Sequence, residues 1–275
     1  MRFFLAFTVV LFLFSLPASA DAPKQQHEEM LYPTVLVTTG SGRGSGSGTV
    51  IYSEMNDGEW ESFVLTNHHV IQNAISIQKI FDPVEQETKE VEMRRPVKID
   101  IYEYNNYSTS IGTTGRTGNI VAYDKLRDLA LIQIDDKERP VKYVGEFYPE
   151  DADGPWIFQQ TFAVGSGLGA PPFPTVGLLS GYGKDRDGRA LYLSSSPIIF
   201  GNSGGSLWVK SERGYELIGV PSMVSAYGWG NVVSHMGWSR PISEIRIFLR
   251  DNKYGYILGD KPELDDNKSD DDSGS

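Results

Sequence analysis

Short apolar stretches broken by glycine, proline, asparagine and aspartate run through the chain, many of them β-branched and too short for helices. In the first half Val35-Leu36-Val37, Thr49-Val50-Ile51-Tyr52, Phe63-Val64-Leu65 and Leu129-Ala130-Leu131-Ile132 read as strands. Asn56-Asp57-Gly58 marks a hairpin turn between two of them. Weaker strand signals fall at Ile75 and Ile77, at Val97, Ile99 and Ile101, and at Ile120-Val121-Ala122-Tyr123, with a charged segment over 85–95 between the first two. The second half repeats the pattern in Thr161-Phe162-Ala163-Val164-Gly165, Thr175-Val176-Gly177-Leu178-Leu179, Ala190-Leu191-Tyr192-Leu193, Leu207-Trp208-Val209 and Leu217-Ile218-Gly219-Val220, with a further strand through Trp238. Residues 136–158, with Pro140, Pro149 and Asp151-Ala152-Asp153-Gly154-Pro155, read as a surface connector between the halves. Only the end differs: Ile242, Ile245, Phe248 and Leu249 fall at helical spacing, and Pro241 suits a helix start. The pattern predicts an all-β chain in two halves with one terminal helix.

The two ends read differently from this body. Arg2, an apolar run over 3–16 and Ala18-Ser19-Ala20 form a signal peptide, too short for the about 20 residues a spanning helix needs. Cleavage is expected after Ala20, giving an exported protein, periplasmic or secreted, without a stable membrane anchor. Residues 21–32 read as a polar, mobile leader. The stretch 251–275 reads as an acidic disordered tail, dense in aspartate from Asp260 onward and without apolar periodicity. It lacks the internal glycine and closing glutamate of a calcium loop. With no cysteine in the chain, an exported domain has no disulfides to hold it and depends on a large core. A net charge of −11 argues against nucleic acid as a partner.

Candidate chemistry centres on Phe200-Gly201-Asn202-Ser203-Gly204-Gly205-Ser206-Leu207, a serine between glycines on a turn entering an apolar strand. Glycine lets the backbone bend sharply and lets a substrate carbonyl approach the amides, two of which can form an oxyanion hole. The turn alone is equally a Gly-rich hairpin, so a base and an acid are needed elsewhere. The histidine pair in Thr66-Asn67-His68-His69-Val70-Ile71 closes a strand, and on a strand only one of the two can face a given partner. Asp128 heads the strand 129–134, where a desolvated carboxylate needs a partner; capping a turn is the alternative role. The glycines of Gly40-Ser41-Gly42-Arg43-Gly44-Ser45-Gly46-Ser47-Gly48 suggest a phosphate loop. No lysine follows them and the next stretch is strand-like, so they read as a hinge.

Gly201-x-Ser203-x-Gly205 also fits the nucleophile elbow of α/β-hydrolases, which makes a serine esterase an alternative. That pattern requires a helix after the serine and the order Ser, Asp, His, whereas here a strand follows and the acid and histidine pair precede. Gly46-Ser47-Gly48-Thr49-Val50-Ile51, Leu65-Thr66-Asn67-His68-His69-Val70-Ile71, Asp128-Leu129-Ala130-Leu131-Ile132, Thr175-Val176-Gly177-Leu178-Leu179-Ser180 and Gly201-Asn202-Ser203-Gly204-Gly205-Ser206-Leu207, in this order, resemble the motifs of trypsin-like serine peptidases of the chymotrypsin fold, closest to the HtrA (Deg) type.

The resemblance spans roughly 33–250. It implies two six-stranded antiparallel barrels, the first over about 33–135 and the second, with the helix, over about 159–250, and a site between them. It selects His69 over His68 as base, with Asp128 orienting it, Ser203 as nucleophile and the amides of Gly201 and Ser203 as oxyanion hole. It implies peptide substrates, no cofactor and no metal. Pocket residues carried over are Pro197, Ile199, Phe200, Ser222, Val224 and Ser239; Pro197 stands where trypsin has an aspartate, so the preference would be for small or medium apolar residues. Three features depart from the family: too little chain follows Leu249 for a PDZ module, Ser206 replaces a usual proline, and the interval from His69 to Asp128 is long. The alternative in another class is a trypsin-fold binding module that is catalytically silent.

Overall fold

A computed structural model of the chain describes residues 22–40, 44–105, 107 and 109–261. Residues 1–21, where the signal peptide is expected, and residues 41–43, 106, 108 and 262–275 lie outside the described residues; the described part of the tail expected over 251–275 is not disordered, since α3 reaches Asp251, a 3₁₀ turn covers Gly255–Leu258 with Ile257 buried, and Asp260 pairs with Arg250 at 2.8 Å. In chain order the first half contains strands β1 (Thr34–Thr39), β2 (Ser45–Asn56), β3 (Glu59–Thr66), β4 (Ile75–Asp82), β5 (Glu87–Arg94), β6 (Val97–Asn105), β7 (Thr109–Asp124) and β8 (Leu129–Ile134). The second contains β9 (Gln160–Gly165), β10 (Phe173–Lys184), β11 (Ala190–Ser194), β12 (Ser206–Lys210), β13 (Tyr215–Tyr227) and β14 (Asn231–Pro241). Among the described residues three α-helices accompany them: α1 (Ala22–Gln26), which continues as a wider turn over His27–Leu31, α2 (His68–Ile71) and α3 (Ile242–Asp251). Two closed antiparallel barrels result, ordered β1-β2-β3-β8-β7-β6 and β10-β11-β14-β13-β12-β9. This is the expected all-β architecture, with the expected helix after the last strand.

Two strands of the first barrel show why their sequences are apolar without a break. On β3, Val64 points into the barrel with Val35, Val50 and Ile132, while Phe63 and Leu65 point out. On β8, Ala130, Ile132 and Ile134 face inward, and Leu129 and Leu131 outward. The outward set packs with Phe162, Trp208, Leu217, Ile245 and Phe248 of the second half, so both faces of these strands are covered and neither face is polar. A smaller cluster of Ala163, Ile198, Leu207, Val209 and Ile218 belongs to the second barrel alone. His69 follows β3 and Asp128 precedes β8, so the candidate residues hang from the two strands that hold the halves together.

Several sequence expectations are corrected. The leader is no mobile segment over its described part: Met30 and Leu31 are buried, Gln26 Nε2 donates to the Tyr215 hydroxyl at 3.0 Å, and the Glu29 carboxylate accepts the Tyr215 amide at 2.8 Å. The glycines from 44 to 48 are not a hinge. Gly46 and Gly48 lie inside β2, where a Cβ would fall 2.5 Å from Val70 Cγ2 or Val64 Cγ1. The charged segment 85–95 is largely strand: β5 pairs with β4 as a separate hairpin with Ile77, Phe81 and Val84 exposed. The hairpin turn is as expected, with Asp57 (φ 49°) and Gly58 (φ 85°) both left-handed. Pro241 caps α3 from the end of β14 rather than opening its first turn.

Candidate active site

Directly after β3 the chain turns into α2, so the histidine pair does not stand on a strand. Helical rotation, not strand alternation, separates the two rings. His68 turns to the Tyr123 ring, with centroids 5.1 Å apart. Burial holds its imidazole below the usual histidine value, against the pull of the Asp128 charge. His69 turns to Asp128: Nδ1 lies 2.8 Å from Oδ2 and 3.0 Å from Oδ1, and the His69 backbone N–H donates to Oδ1 at 3.0 Å. With Nδ1 occupied, Nε2 is left for another partner.

Asp128 sits on the turn between β7 and β8 with φ 54°, a left-handed conformation that aspartate tolerates better than most residues. Asn67 Nδ2 donates to its backbone carbonyl at 2.7 Å. From the second barrel, the Ser222 hydroxyl donates to its Oδ2. Burial pushes the Asp128 carboxyl up, but the hydrogen bond and charge of the His69 ring, the Ser222 hydroxyl and the His69 amide together hold it below the usual carboxylate range. It therefore stays ionised beside His69. Its neighbour Arg127 is fixed in turn by Asp124 and by Glu244 of α3, at 2.6 and 3.1 Å.

Ser203 lies on the turn before β12, and that turn is tied to the first barrel through Ser47. The Ser47 amide donates to Ser203 O at 2.8 Å, and its hydroxyl donates to Gly201 O at 2.6 Å while accepting the Ser166 amide at 2.7 Å. Gly204 N donates to Pro221 O, the residue before Ser222, at 3.0 Å. Gly201 has φ 97°, and a Cβ there would fall 2.6 Å from Leu168 N and Ser166 O, so only glycine fits. The Phe200 carbonyl accepts Leu168 N at 2.7 Å. In a trans peptide the Gly201 N–H then points away from Leu168, and among the described residues it donates to no backbone carbonyl. Among the described residues no hydrogen bond joins the Ser203 hydroxyl to His69; such bonds are commonly long in unliganded sites and tighten with substrate.

The pocket expectations divide. Pro197 and Phe200 are exposed and line no enclosed wall. Ser222 is buried, but its hydroxyl is spent on Asp128, so it belongs with the histidine and the carboxylate rather than with a pocket. Ile199 holds the serine turn through its amide, which donates to Asn202 Oδ1 at 3.0 Å. Ser239 is buried on β14 opposite Pro221, and Val224 is half-buried opposite Gly237. The apolar residue missed from the sequence is Ile198: it is buried, and its Cδ1 would lie 2.8 Å from a Cβ at Gly237. Ser206, where proline was expected, accepts the Trp208 indole N–H at 2.6 Å inside the core. Among the described residues no group of three or more His, Cys, Asp or Glu side chains is placed to hold a metal, and no helix is long and apolar enough to cross a membrane.

Residues 46–220 match the family described as trypsin-like peptidase domain. The chain is 30% identical over 174 residues to Protease Do-like 8, chloroplastic, of Arabidopsis thaliana, a match covering 60% of this chain and 32% of that protein. It thus spans about a third of that curated relative. Among solved structures it is similar to the serine endoprotease from Yersinia pestis, with TM-score 0.55, 18% identity, and 84% of this chain and 66% of that one covered. It is also similar to the HtrA-type protease AlgW with tripeptide, with TM-score 0.57, 17% identity, and 86% and 64% covered. At these identities the structural likeness is one of fold.

Proposed function

Because the chain belongs to the trypsin-like peptidase family, with HtrA- and Deg-type proteases among its homologues, we propose that it is an exported serine endopeptidase working through Ser203, His69 and Asp128. In this reading Ser203 Oγ attacks the peptide carbonyl, and His69 takes the proton at Nε2 and returns it to the leaving amine. Asp128 holds the other ring nitrogen and stabilises the imidazolium. The N–H groups of Gly201 and Ser203 receive the charge that develops on the carbonyl oxygen, a donor of this kind being worth roughly 10²–10³ in rate. Water then releases the acyl group by the same steps in reverse.

The observation that carries the reading is the convergence on Asp128 of the His69 ring from the first barrel and the Ser222 hydroxyl from the second. A silent binding module has no need to keep a buried carboxylate ionised against its desolvation. Ile198 before the serine turn is buried and apolar, and Pro197 stands where trypsin has an aspartate, so no carboxylate is there to pair with a basic side chain and cleavage follows small or medium apolar residues such as Val, Ala or Leu. The apolar amino-terminal run supports action outside the cytoplasm, in the periplasm or the medium. A fluorophosphonate probe tests the reading: labelling of Ser203, abolished in Ser203→Ala, is expected. Well-folded protein that takes no label and cuts no peptide would refute it.

A further inference from the structure

One cavity of about 560 Å³ is not used by the steps above. It lies between Lys125 and Leu126 on the turn before Asp128, Lys184 and Arg186 at the end of β10, and Met223, Val224 and Ser225 just past Ser222. One wall therefore runs into Asp128 and another continues from Ser222, which bonds its carboxylate. Its floor is Trp238, whose indole fits over Gly183, where a Cβ would fall 2.7 Å from the ring. The indole N–H donates to the Ser225 hydroxyl at 3.0 Å, which fixes the floor.

The charges around this floor are lopsided. Asp185 and Asp187 are each taken by an arginine, Asp185 by Arg240 at 2.7 Å and Asp187 by Arg189 at 3.2 Å. Lys184 and Arg186 are in no salt bridge among the described residues, and Lys125 lies 5.9 Å from the Tyr123 ring centroid, near enough to Glu92 to act on it but not paired with it. In a chain of net charge −11, three cations around one apolar floor, none in a salt bridge among the described residues, form a local positive field.

We propose that this cavity is a subsite for an acidic side chain of the polypeptide substrate, a few residues from the bond that is cut. The inference rests on the peptidase reading. An extended peptide advances about 3.3 Å per residue, so a wall that starts one residue past Ser222 is within reach of side chains roughly two to four positions from the reacting carbonyl. The stem of a glutamate or aspartate lies on Trp238, Met223 and Leu126, and its carboxylate meets Lys125, Lys184 and Arg186. Exposed pairs of this kind are individually weak, and three together amount to about a tenfold preference that salt reduces.

Fluorogenic peptides sharing one cleavage site, with Glu, Gln or Lys placed in turn at each of four positions on either side, test the proposal. At one position kcat/KM for the Glu peptide is expected about tenfold above the Lys peptide at low ionic strength, converging as salt rises. The Lys184→Glu/Arg186→Glu double variant is expected to reverse the order while leaving the Gln peptide unchanged. Indifference to charge at every position, or a Glu preference that survives the reversal, overturns the proposal. Faster hydrolysis of every peptide by the double variant, Gln included, means that the cavity holds the chain's own acidic terminus, and overturns it equally. Fluorescence anisotropy of the same peptides on the Ser203→Ala variant measures the subsite without turnover. A Glu preference in binding with no hydrolysis by the unmodified chain therefore strikes the peptidase reading alone.

Discussion

Ser47 offers a sharp test, because one buried hydroxyl carries two bonds that fix the serine turn to the opposite barrel. In Ser47→Ala the backbone bond to Ser203 O is retained, while Gly201 O loses its donor and Ser166 N its acceptor. Each stranded buried group costs about 1–3 kcal/mol, so the global stability should fall by roughly 2–4 kcal/mol if the losses partly overlap. The catalytic effect is separable from this. Releasing Gly201 O lets the peptide next to the oxyanion amide sample other orientations. If pinning is worth about 1.4–2.8 kcal/mol, the productive fraction drops about 10–10²-fold. Burst kinetics with an activated ester, run well below the unfolding midpoint, should show kcat reduced by that factor with KM little changed, since only the charge of the transition state reads the misplaced amide. A variant that loses stability but keeps full kcat would refute the argument that Ser47 positions the oxyanion residue. Equal losses in kcat and stability at every temperature would reduce Ser47 to a structural bolt.

Other outcomes follow from the same geometry. Ser203→Ala or His69→Ala should remove peptide hydrolysis by on the order of 10⁶ with the fold intact by circular dichroism, whereas His68→Ala should leave most of it; an exchange of ranks between the histidines would overturn the assignment of the base. Gly201→Ala must shift the turn to relieve a 2.6 Å contact at φ 97°, and should fold yet lose about 10²–10³ in kcat, checked by active-site titration. The folded-state pKa of Asp128 is depressed, so its contribution to stability is present above the ordinary carboxylate value and is lost as pH falls through the folded value. Removing the Ser222 donor should cost about 1.5–3 kcal/mol at pH 7, with a gap that closes in chemical denaturation below that window; a gap independent of pH would mean that the bond does not favour the charged form. Leu31→Ala should destabilise the protein by about 2–5 kcal/mol by differential scanning calorimetry, whereas a solvated leader would give no change.

The strands were legible because they are apolar runs bounded by turn residues, whereas their closure into two barrels came only from the resemblance to trypsin-like peptidases. His69, Asp128 and Ser203 were legible as residue types in an order, and the hydrogen bonds to Asp128 give two of them their geometry. What escaped was tertiary. Ser222 looks like any strand serine until the second barrel delivers its hydroxyl to Asp128. Gly46 and Gly48 look like a hinge because nothing local shows that Val70 and Val64 take the space above them. β7 was recognised only in its second half, since Gly112, Gly115 and Gly118 dilute its apolar period. The residues of β5 carry charge on a hairpin with little core beneath it, so burial left no period to read.

The docking of the amino-terminal helix also sets an order in time. Its hydrogen-bonding partners at Tyr215 lie 186 and 189 residues further along the chain. The surface for Glu29 therefore exists only once the second half of the chain has been delivered. Every strand of the first barrel is complete by residue 134, so that barrel can close long before its own leading segment has anywhere to go. Met30 and Leu31 therefore cannot settle until the second half is in place, where they share one cluster with Trp208, Leu217 and Phe248.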